Sequence, residues 1–157
     1  MLNEQQKVLI HNARQLSPDA RILNETSIQK LETELNIVLS DEFKIISKEY
    51  SYEWLGGFEW LAFSKESKFS VSSMTITLRK NYNLPNRYVC LADDGTSMIL
   101  METQNDTSKS APVIWCSIED MYRLANEEPM IYKPDIFNNF TDFFAFLIEK
   151  EKENQGI

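Results

Sequence analysis

The chain has 157 residues, of which 43% are hydrophobic, 25% are charged and 11% are aromatic, with a formal net charge of -8. This length and composition fit one globular domain and exclude a disordered or fibrous chain. No uncharged apolar stretch approaches the roughly 18 residues that a membrane-spanning helix needs.

The first half of the chain is predicted to be mainly helical. Apolar residues at near-helical spacing indicate a helix over residues 3–16. A second helix is expected after Thr26, in a capping box, and a third after Ser40, whose side chain can cap the first turn. An aromatic segment with a Gly pair, residues 54–63, indicates a bend leading into a strand, and Ser70 begins a fourth helix.

The second half is predicted to be mainly strand, with a closing helix. Its predicted elements are strands over residues 88–92, 98–101 and 113–116, a short helix over 117–125 and a last helix over 139–152. Asp94-Gly95 is typical of a two-residue hairpin turn, in which both positions favour positive φ. Helices, then strands, then a helix predict a single α+β domain. Its antiparallel sheet should have about four to six strands packed against several helices.

The acidic residues are unevenly distributed along the chain. Residues 1–91 hold 11 acids and 11 bases, whereas residues 92–157 hold 13 acids and 5 bases. A field of this sign repels a phosphate backbone, so we expect no direct nucleic acid binding. The same field would attract a basic protein partner, and the alternative is a solvated acidic face that maintains solubility.

Residue types that often carry chemistry are sparse in this sequence. Cys90 and Cys116 lie in apolar segments, which predicts buried free thiols and not a disulfide framework. His11 has no ligand spacing around it and is expected to be structural or solvent-facing. We find no phosphate loop, nucleophile elbow or Cys-x-x-Cys motif, and we predict no cofactor. The N-terminal residues do not resemble a secretory signal peptide, so we expect a soluble, cytoplasmic protein without membrane contact.

One acidic group could in principle support catalysis. Clustered carboxylates at Asp93, Asp94 and Asp106, with Glu102 nearby in sequence, could hold Mg²⁺ for phosphoryl chemistry. The hairpin turn explains Asp94 without a metal, and we favour it. A small metal-dependent hydrolase remains a third hypothesis, which stoichiometric Mg²⁺ binding abolished by Asp93→Asn would support.

Two other groups of residues, acids and tryptophans, could also carry function. Four acids later in the chain give no indication of a paired general acid and base, namely Glu119, Asp120, Glu127 and Glu128. Trp60 and Trp115 are expected to be core or half-buried sheet residues. For Trp54, core packing and a role as an anchor for a partner protein both stay open.

Several short motifs, in their order and spacing, resemble the SUKH superfamily. The first combines a Leu31-Glu32 pair on a helix with Ser40-x-Glu42-Phe43, where Ser40 stands in the place of the family's usual Pro. The matching segments are residues 28–43, 84–85, 88–95, 98–103, 112–115 and 140–144. The resemblance covers about residues 26–150. It implies a SUKH-like domain over residues 26–153, with residues 1–25 as an N-terminal helix and connector of the same domain and 154–157 as a tail.

The resemblance implies a function without catalysis. SUKH proteins include yeast regulators of cell-wall synthesis and many bacterial immunity proteins, which bind and neutralise the toxin domain of a polymorphic toxin, often a nuclease. The superfamily offers no catalytic residues to assign here. We therefore predict an immunity protein, monomeric or weakly dimeric, whose partner is a cognate toxin domain. A nuclease tends to present a basic cleft, which an acidic inhibitor can occupy.

The hypothesis places the partner-binding surface on the acids of the second half of the chain. The predicted residues are Asp93, Asp94, Glu102, Asp106, Glu119, Asp120, Glu127 and Glu128, together with Trp54. The alternative function is a general protein-interaction or regulatory module for an endogenous partner. That alternative predicts no linked toxin gene and no killing of cells that lose the protein.

Overall fold

Six α-helices, a short 3-10 helix and six strands make up the computed structural model, which describes residues 1–18, 23–51, 54–63, 70–103 and 106–157. The α-helices are α1 (Glu4–Leu16), α2 (Glu25–Leu35), α3 (Asp41–Glu49), α4 (Val71–Tyr82), α5 (Met121–Ala125) and α6 (Phe140–Gln155). The strands are β1 (Trp54–Leu55), β2 (Phe58–Trp60), β3 (Tyr88–Asp93), β4 (Ser97–Glu102), β5 (Val113–Ser117) and β6 (Asp135–Phe137). The 3-10 helix spans Ile118–Asp120, directly before α5. Within these described ranges, every helix is too short or too polar to cross a membrane.

The sheet follows the order of the chain. Its strand order is β1-β2-β3-β4-β5-β6, and each neighbouring pair is antiparallel. One irregularity, between Cys90 and Ala92, shifts the register of β3 against β4. The α+β class and the antiparallel sheet predicted from the sequence are confirmed.

Side-chain caps explain where the helices begin. In each of five helices the residue before the first turn accepts a hydrogen bond from a backbone N–H two or three residues into the helix; these caps are Asn3, Asn24, Ser40, Ser70 and Asn139. The predicted cap at Ser40 is confirmed, and so is the predicted start of a helix at Ser70. The predicted start of α2 after Thr26 is wrong, because the Asn24 carboxamide accepts the Ser27 N–H at 2.8 Å and so starts the helix at Glu25.

Aromatic residues of α6 pack across one face of the sheet. The ring of Phe143 lies 5.8 Å from Trp60 in β2 and 5.1 Å from Phe137 in β6. Phe146, one turn further along, lies 6.1 Å from Trp115 in β5. These contacts confirm the half-buried positions predicted for Trp60 and Trp115, and they make α6 the main cover of this face.

Glu32 is the acid of the Leu-Glu pair, and it fixes the connection between α2 and α3. Its Oε2 accepts the Leu39 N–H at 2.8 Å and lies 3.4 Å from Lys44 Nζ. A carboxylate that binds a backbone N–H and an ammonium group at once holds this turn in one conformation. The acid of the motif is therefore structural.

Glu42 ties α3 to the start of α6. One carboxylate oxygen accepts the Phe140 N–H at 2.8 Å, and the other accepts the Thr141 hydroxyl at 2.8 Å. Thr141 Oγ1 in turn accepts a hydrogen bond from Gln6 Nε2 of α1 at 3.1 Å. The network joins three helices and places a negative charge at the positive end of the α6 dipole.

Two sheet features differ from the prediction. The Gly pair at residues 56–57 joins two short strands into a hairpin, whereas a bend before one strand was expected. β6 was not predicted at all, since its three residues are mostly exposed and directly follow Pro134. Its pairing with β5 provides the hydrogen bonds that its own sequence does not indicate.

The two cysteines are free and buried, as predicted. Burial raises the pKa of the Cys116 thiol to about 11, and it raises the pKa of the Cys90 thiol further. We expect both thiols to resist iodoacetamide in the native protein at neutral pH, because the thiolate is the reacting form, and to react once urea unfolds the chain. Mass spectrometry after timed labelling measures this. Fast labelling of either cysteine in the native protein would contradict the burial described here.

Candidate protein-binding surface

The turn between β3 and β4 is built by two carboxylates. Asp94 Oδ1 accepts the backbone N–H groups of Thr96 at 3.0 Å and Ser97 at 2.7 Å. Asp93 Oδ1 accepts the N–H of Gly95 at 2.6 Å, and Gly95 has a φ of 93°. The Asp94 N–H donates to the Ser97 carbonyl at 3.1 Å, so Gly95 and Thr96 lie at the tip of the turn, and Asp94 does not share the positive φ of Gly95. The turn predicted over Asp94-Gly95 is therefore displaced by one residue, although Gly95 supplies the expected conformation.

Hydrogen bonding also sets the charge state of Asp94. Partial burial raises the pKa of this carboxyl group, but hydrogen bonds from Thr96 and Ser97 lower it further than burial raises it. The net pKa is below the ordinary value, so the group stabilises the fold at neutral pH. That contribution is lost as the pH falls through the lowered pKa of the folded state.

Further acidic and aromatic residues lie at the same end of the sheet. Glu59 of β2 is the register partner of Asp93, and the Ile118 N–H donates to the Thr96 carbonyl at 3.1 Å. An open depression of about 410 Å³ lies beside the turn, lined by Gly95, Thr96, Ser97, Ser117, Ile118, Glu119 and Tyr132. We call Glu59, Asp93, Asp94, Glu119 and Tyr132 the turn-end surface.

Glu102 and Asp106 do not belong to the turn-end surface. Glu102 lies at the far end of β4, about 17 Å from Ser97 at the usual rise per residue, and its Oε1 is 3.6 Å from Arg87 Nε. Asp106 accepts hydrogen bonds from the N–H and the hydroxyl of Ser108, at 3.1 and 2.6 Å. The structure therefore divides the predicted acids between the two ends of the β3–β4 hairpin.

Asp120 is fully buried, with 0% of the residue exposed, and this corrects its assignment to an acidic surface. Its Oδ1 accepts the Ile131 N–H at 2.8 Å and its Oδ2 accepts the Tyr132 N–H at 2.9 Å. Arg123 Nε lies 3.4 Å from Oδ1. The carboxylate is thus saturated by internal partners and unavailable to another protein.

Glu127 and Glu128 follow α5. Both are exposed, and Glu127 has a φ of 55°. Glu128 Oε2 lies 3.7 Å from Arg123 Nη1, so part of its charge is compensated. At this distance a partly exposed ion pair contributes little to stability. Because Glu127 and Glu128 are exposed, both carboxylates can attract a basic partner over long range.

The remaining candidates are Trp54, His11 and a possible metal-binding group of side chains. In β1, the backbone of Trp54 pairs with Glu59 of β2. The Trp54 side chain lies outside the described residues, so the role of Trp54 as an anchor stays a prediction. His11 is exposed on α1, with its Nε2 3.2 Å from Gln15 Nε2, as expected for a solvent-facing histidine. Among the residues that the structure describes, no group of three or more His, Cys, Asp or Glu side chains could hold a metal ion.

Sequence reasoning missed two members of the turn-end surface. Glu59 stands between two aromatic residues of a strand, a pattern typical of an exposed position, but its pairing with Asp93 cannot be read from sequence. Tyr132 follows Ile131 in a segment without periodicity. Its position depends on hydrogen bonds to Asp120, which is 12 residues away in the chain.

The sheet is antiparallel and follows the order of the chain, and helices precede, interrupt and follow its strands in sequence. The chain is therefore an α+β domain, and one end of its sheet is acidic. The comparison with protein families defines it further. A family described as SMI1-KNR4 cell-wall, SUKH_5, matches residues 4–144. The chain belongs to this family, and its predicted resemblance to the SUKH superfamily is confirmed. No curated protein matches the chain.

Proposed function

We propose that this chain is a non-enzymatic immunity protein that acts in the cytoplasm, where it binds and neutralises a cognate bacterial toxin domain. The family match over residues 4–144 carries the proposal, because the SUKH superfamily, which the chain resembles, includes many immunity proteins. We further propose that the toxin is a nuclease with a basic cleft.

Electrostatics supports this choice of partner. Residues 92–157 hold 13 acids against 5 bases, and the turn-end surface presents carboxylates from β2, β3 and the 3-10 helix. A nuclease binds a polyanion and therefore presents positive charge, so the two surfaces attract each other over long range. A stable complex would bury on the order of 1,600 Å² in total.

Rescue by co-expression tests the proposal. The toxin domain encoded beside the gene for this chain is induced in cells with and without this protein, and the two proteins are then co-purified at low and high salt. Survival together with a stable complex is the expected result. Absence of both would contradict the proposed function while leaving the fold and family unaffected.

Reversing the charge of exposed acids should change the rate of association with the toxin domain without disturbing the fold. We expect Glu119→Lys combined with Glu127→Lys to slow association with the toxin domain by about tenfold at low salt and to weaken its salt dependence. Asp93 and Asp94 are unsuitable for this test, because their carboxylates hold the turn. Stopped-flow measurement of the association rate over a salt series provides the readout.

The control for this experiment is Glu4→Lys, also exposed but located on α1. The neighbouring Gln6 contacts Thr141 at the start of α6, and neither residue belongs to the turn-end surface or lines its depression. The control should leave the association rate nearly unchanged. Equal rates for the double variant and the wild type would place the binding surface elsewhere.

The family description supports a second candidate. This description refers to the cell wall, which favours a regulatory module that binds an endogenous partner. In that case, loss of the protein would not kill cells, and no neighbouring toxin would be neutralised. The rescue experiment distinguishes the two candidates directly.

A further inference from the structure

Several large apolar side chains are exposed in the segment that runs from α5 to β6. Four of them are exposed within residues 122–136: Tyr122 at 40%, Ile131 at 59%, Tyr132 at 55% and Ile136 at 62%. Single exposed apolar residues are ordinary, but a concentration of this kind next to a depression is typical of an interaction site. Tyr132 itself lines the depression of the turn-end surface.

Two of these exposed residues are held by a fully buried charge. The backbone N–H groups of Ile131 and Tyr132 donate to the two oxygens of Asp120, which Arg123 also contacts. Burial of a carboxylate is unfavourable unless its oxygens are satisfied, so these bonds must persist in the folded protein. The effect is to fix the backbone of two residues whose side chains point to solvent.

We infer that Ile131 and Tyr132, held in place by Asp120, form the apolar centre of the surface that binds a partner protein with a basic face. The identity of that partner rests on the proposed function. In this arrangement Asp120 is a positioning residue, and Tyr132 is the main anchor. An aromatic side chain with a preordered backbone loses little conformational entropy when it is buried by a partner.

The negative charge around Tyr132 favours a basic partner over a second copy of this chain. Glu119 lines the same depression as Tyr132, and Asp93 and Asp94 lie at the turn beside it. One positive charge follows in sequence, on the exposed Lys133. Two copies, each with a formal net charge of -8, would bring these carboxylates together and repel each other. A cationic surface with a pocket for Tyr132 complements both the apolar centre and its rim.

Matched variants test the inference. Ile131→Ala and Tyr132→Ala are compared with Ile76→Ala and Tyr82→Ala, which remove side chains exposed on α4. The probe is the catalytically inactivated toxin domain encoded beside the gene, and calorimetry measures the affinity. We expect the first two variants to bind at least about tenfold more weakly, and the α4 variants to stay within about twofold of the wild type.

Asp120→Asn tests the positioning role. An asparagine side chain presents an NH₂ group to one of the two backbone N–H donors, so one of the two bonds is lost. The amides of Ile131 and Tyr132 should then exchange with deuterium faster in the free protein, and affinity for the probe should fall. If this variant fails to fold, the Ile131 and Tyr132 variants decide the question alone.

The outcomes separate this inference from the proposed function. If the wild type rescues cells and binds the probe, and both Ile131→Ala and Tyr132→Ala bind equally well, the inference is wrong and the proposed function stands. If the wild type neither rescues nor binds, the proposed function fails, and the choice of a basic partner fails with it. A dimer in sedimentation that Tyr132→Ala dissociates would also overturn the inference in favour of self-association.

Discussion

Glu42→Ala should lower the free energy of unfolding by about 2–4 kcal/mol, because it leaves a buried N–H and a buried hydroxyl without their acceptor. The N–H belongs to Phe140 and the hydroxyl to Thr141, and both residues are buried at the start of α6. The network that links α1, α3 and α6 would lose its central group. Urea denaturation followed by circular dichroism measures the change.

Two variants make this result specific. Glu42→Gln keeps one acceptor oxygen and should fall between Glu42→Ala and the wild type. Asp41→Ala removes an exposed acid from the same first turn of α3 and should lower the free energy of unfolding by less than about 1 kcal/mol. Equal midpoints for Asp41→Ala and Glu42→Ala would mean that the carboxylate contributes only through the helix dipole.

Gly56→Ala is expected to lower the free energy of unfolding by about 3–4 kcal/mol. A Cβ at this position would lie 2.8 Å from Leu147 Cδ2 and 3.3 Å from the Leu147 carbonyl oxygen, in the middle of α6. The residue also has a φ of 67°, which costs other residues about 1–2 kcal/mol. Overpacking against a buried helix adds about 1–3 kcal/mol.

Gly57→Ala provides the matched control in the same turn. Its φ is 85°, but the nearest atoms to a Cβ are Asn154 Nδ2 at 3.7 Å and Lys150 Cε at 3.9 Å, both on flexible side chains. We expect the conformational penalty alone, about 1–2 kcal/mol. If thermal unfolding showed the same loss for both variants, the close approach of the turn to Leu147 would have no energetic consequence.

Local signals predicted much of the fold. Ser40, Ser70 and Asn139 precede apolar residues at helical spacing, and each helix begins where its cap indicates. The apolar strands from Tyr88 and Val113 were equally clear, since buried β-branched and aromatic runs form few other structures. These features depend on residues within one or two turns of each other.

The differences arise where distant residues decide the outcome. Both Asn24 and Thr26 can cap a helix. In the structure Asn24 does so, and the residue before it is tied to α3, because the Leu23 N–H donates to the Ser47 carbonyl at 3.0 Å. β6 forms because the backbone of β5 provides it with hydrogen-bond partners along the outer edge of that strand. Its own three residues have neither length nor alternation.

The candidate surface was predicted in part. Asp93, Asp94 and Glu119 lie at the same end of the sheet. Glu102 lies at the other end of its strand, and Asp120 is internal. Sequence distance places acids near one another along the chain, but strand direction and burial decide which of them share a surface.

The packing of α6 has a consequence for biosynthesis. Every strand of the sheet is made before α6, so a growing chain can form its hairpins while Trp60, Trp115 and Phe137 still lack the helix that covers them. An aromatic sheet face without its cover is prone to association with other chains. The nascent protein is therefore most vulnerable to aggregation just before α6 leaves the ribosome, and chaperones that bind apolar strands have their clearest opportunity at that stage.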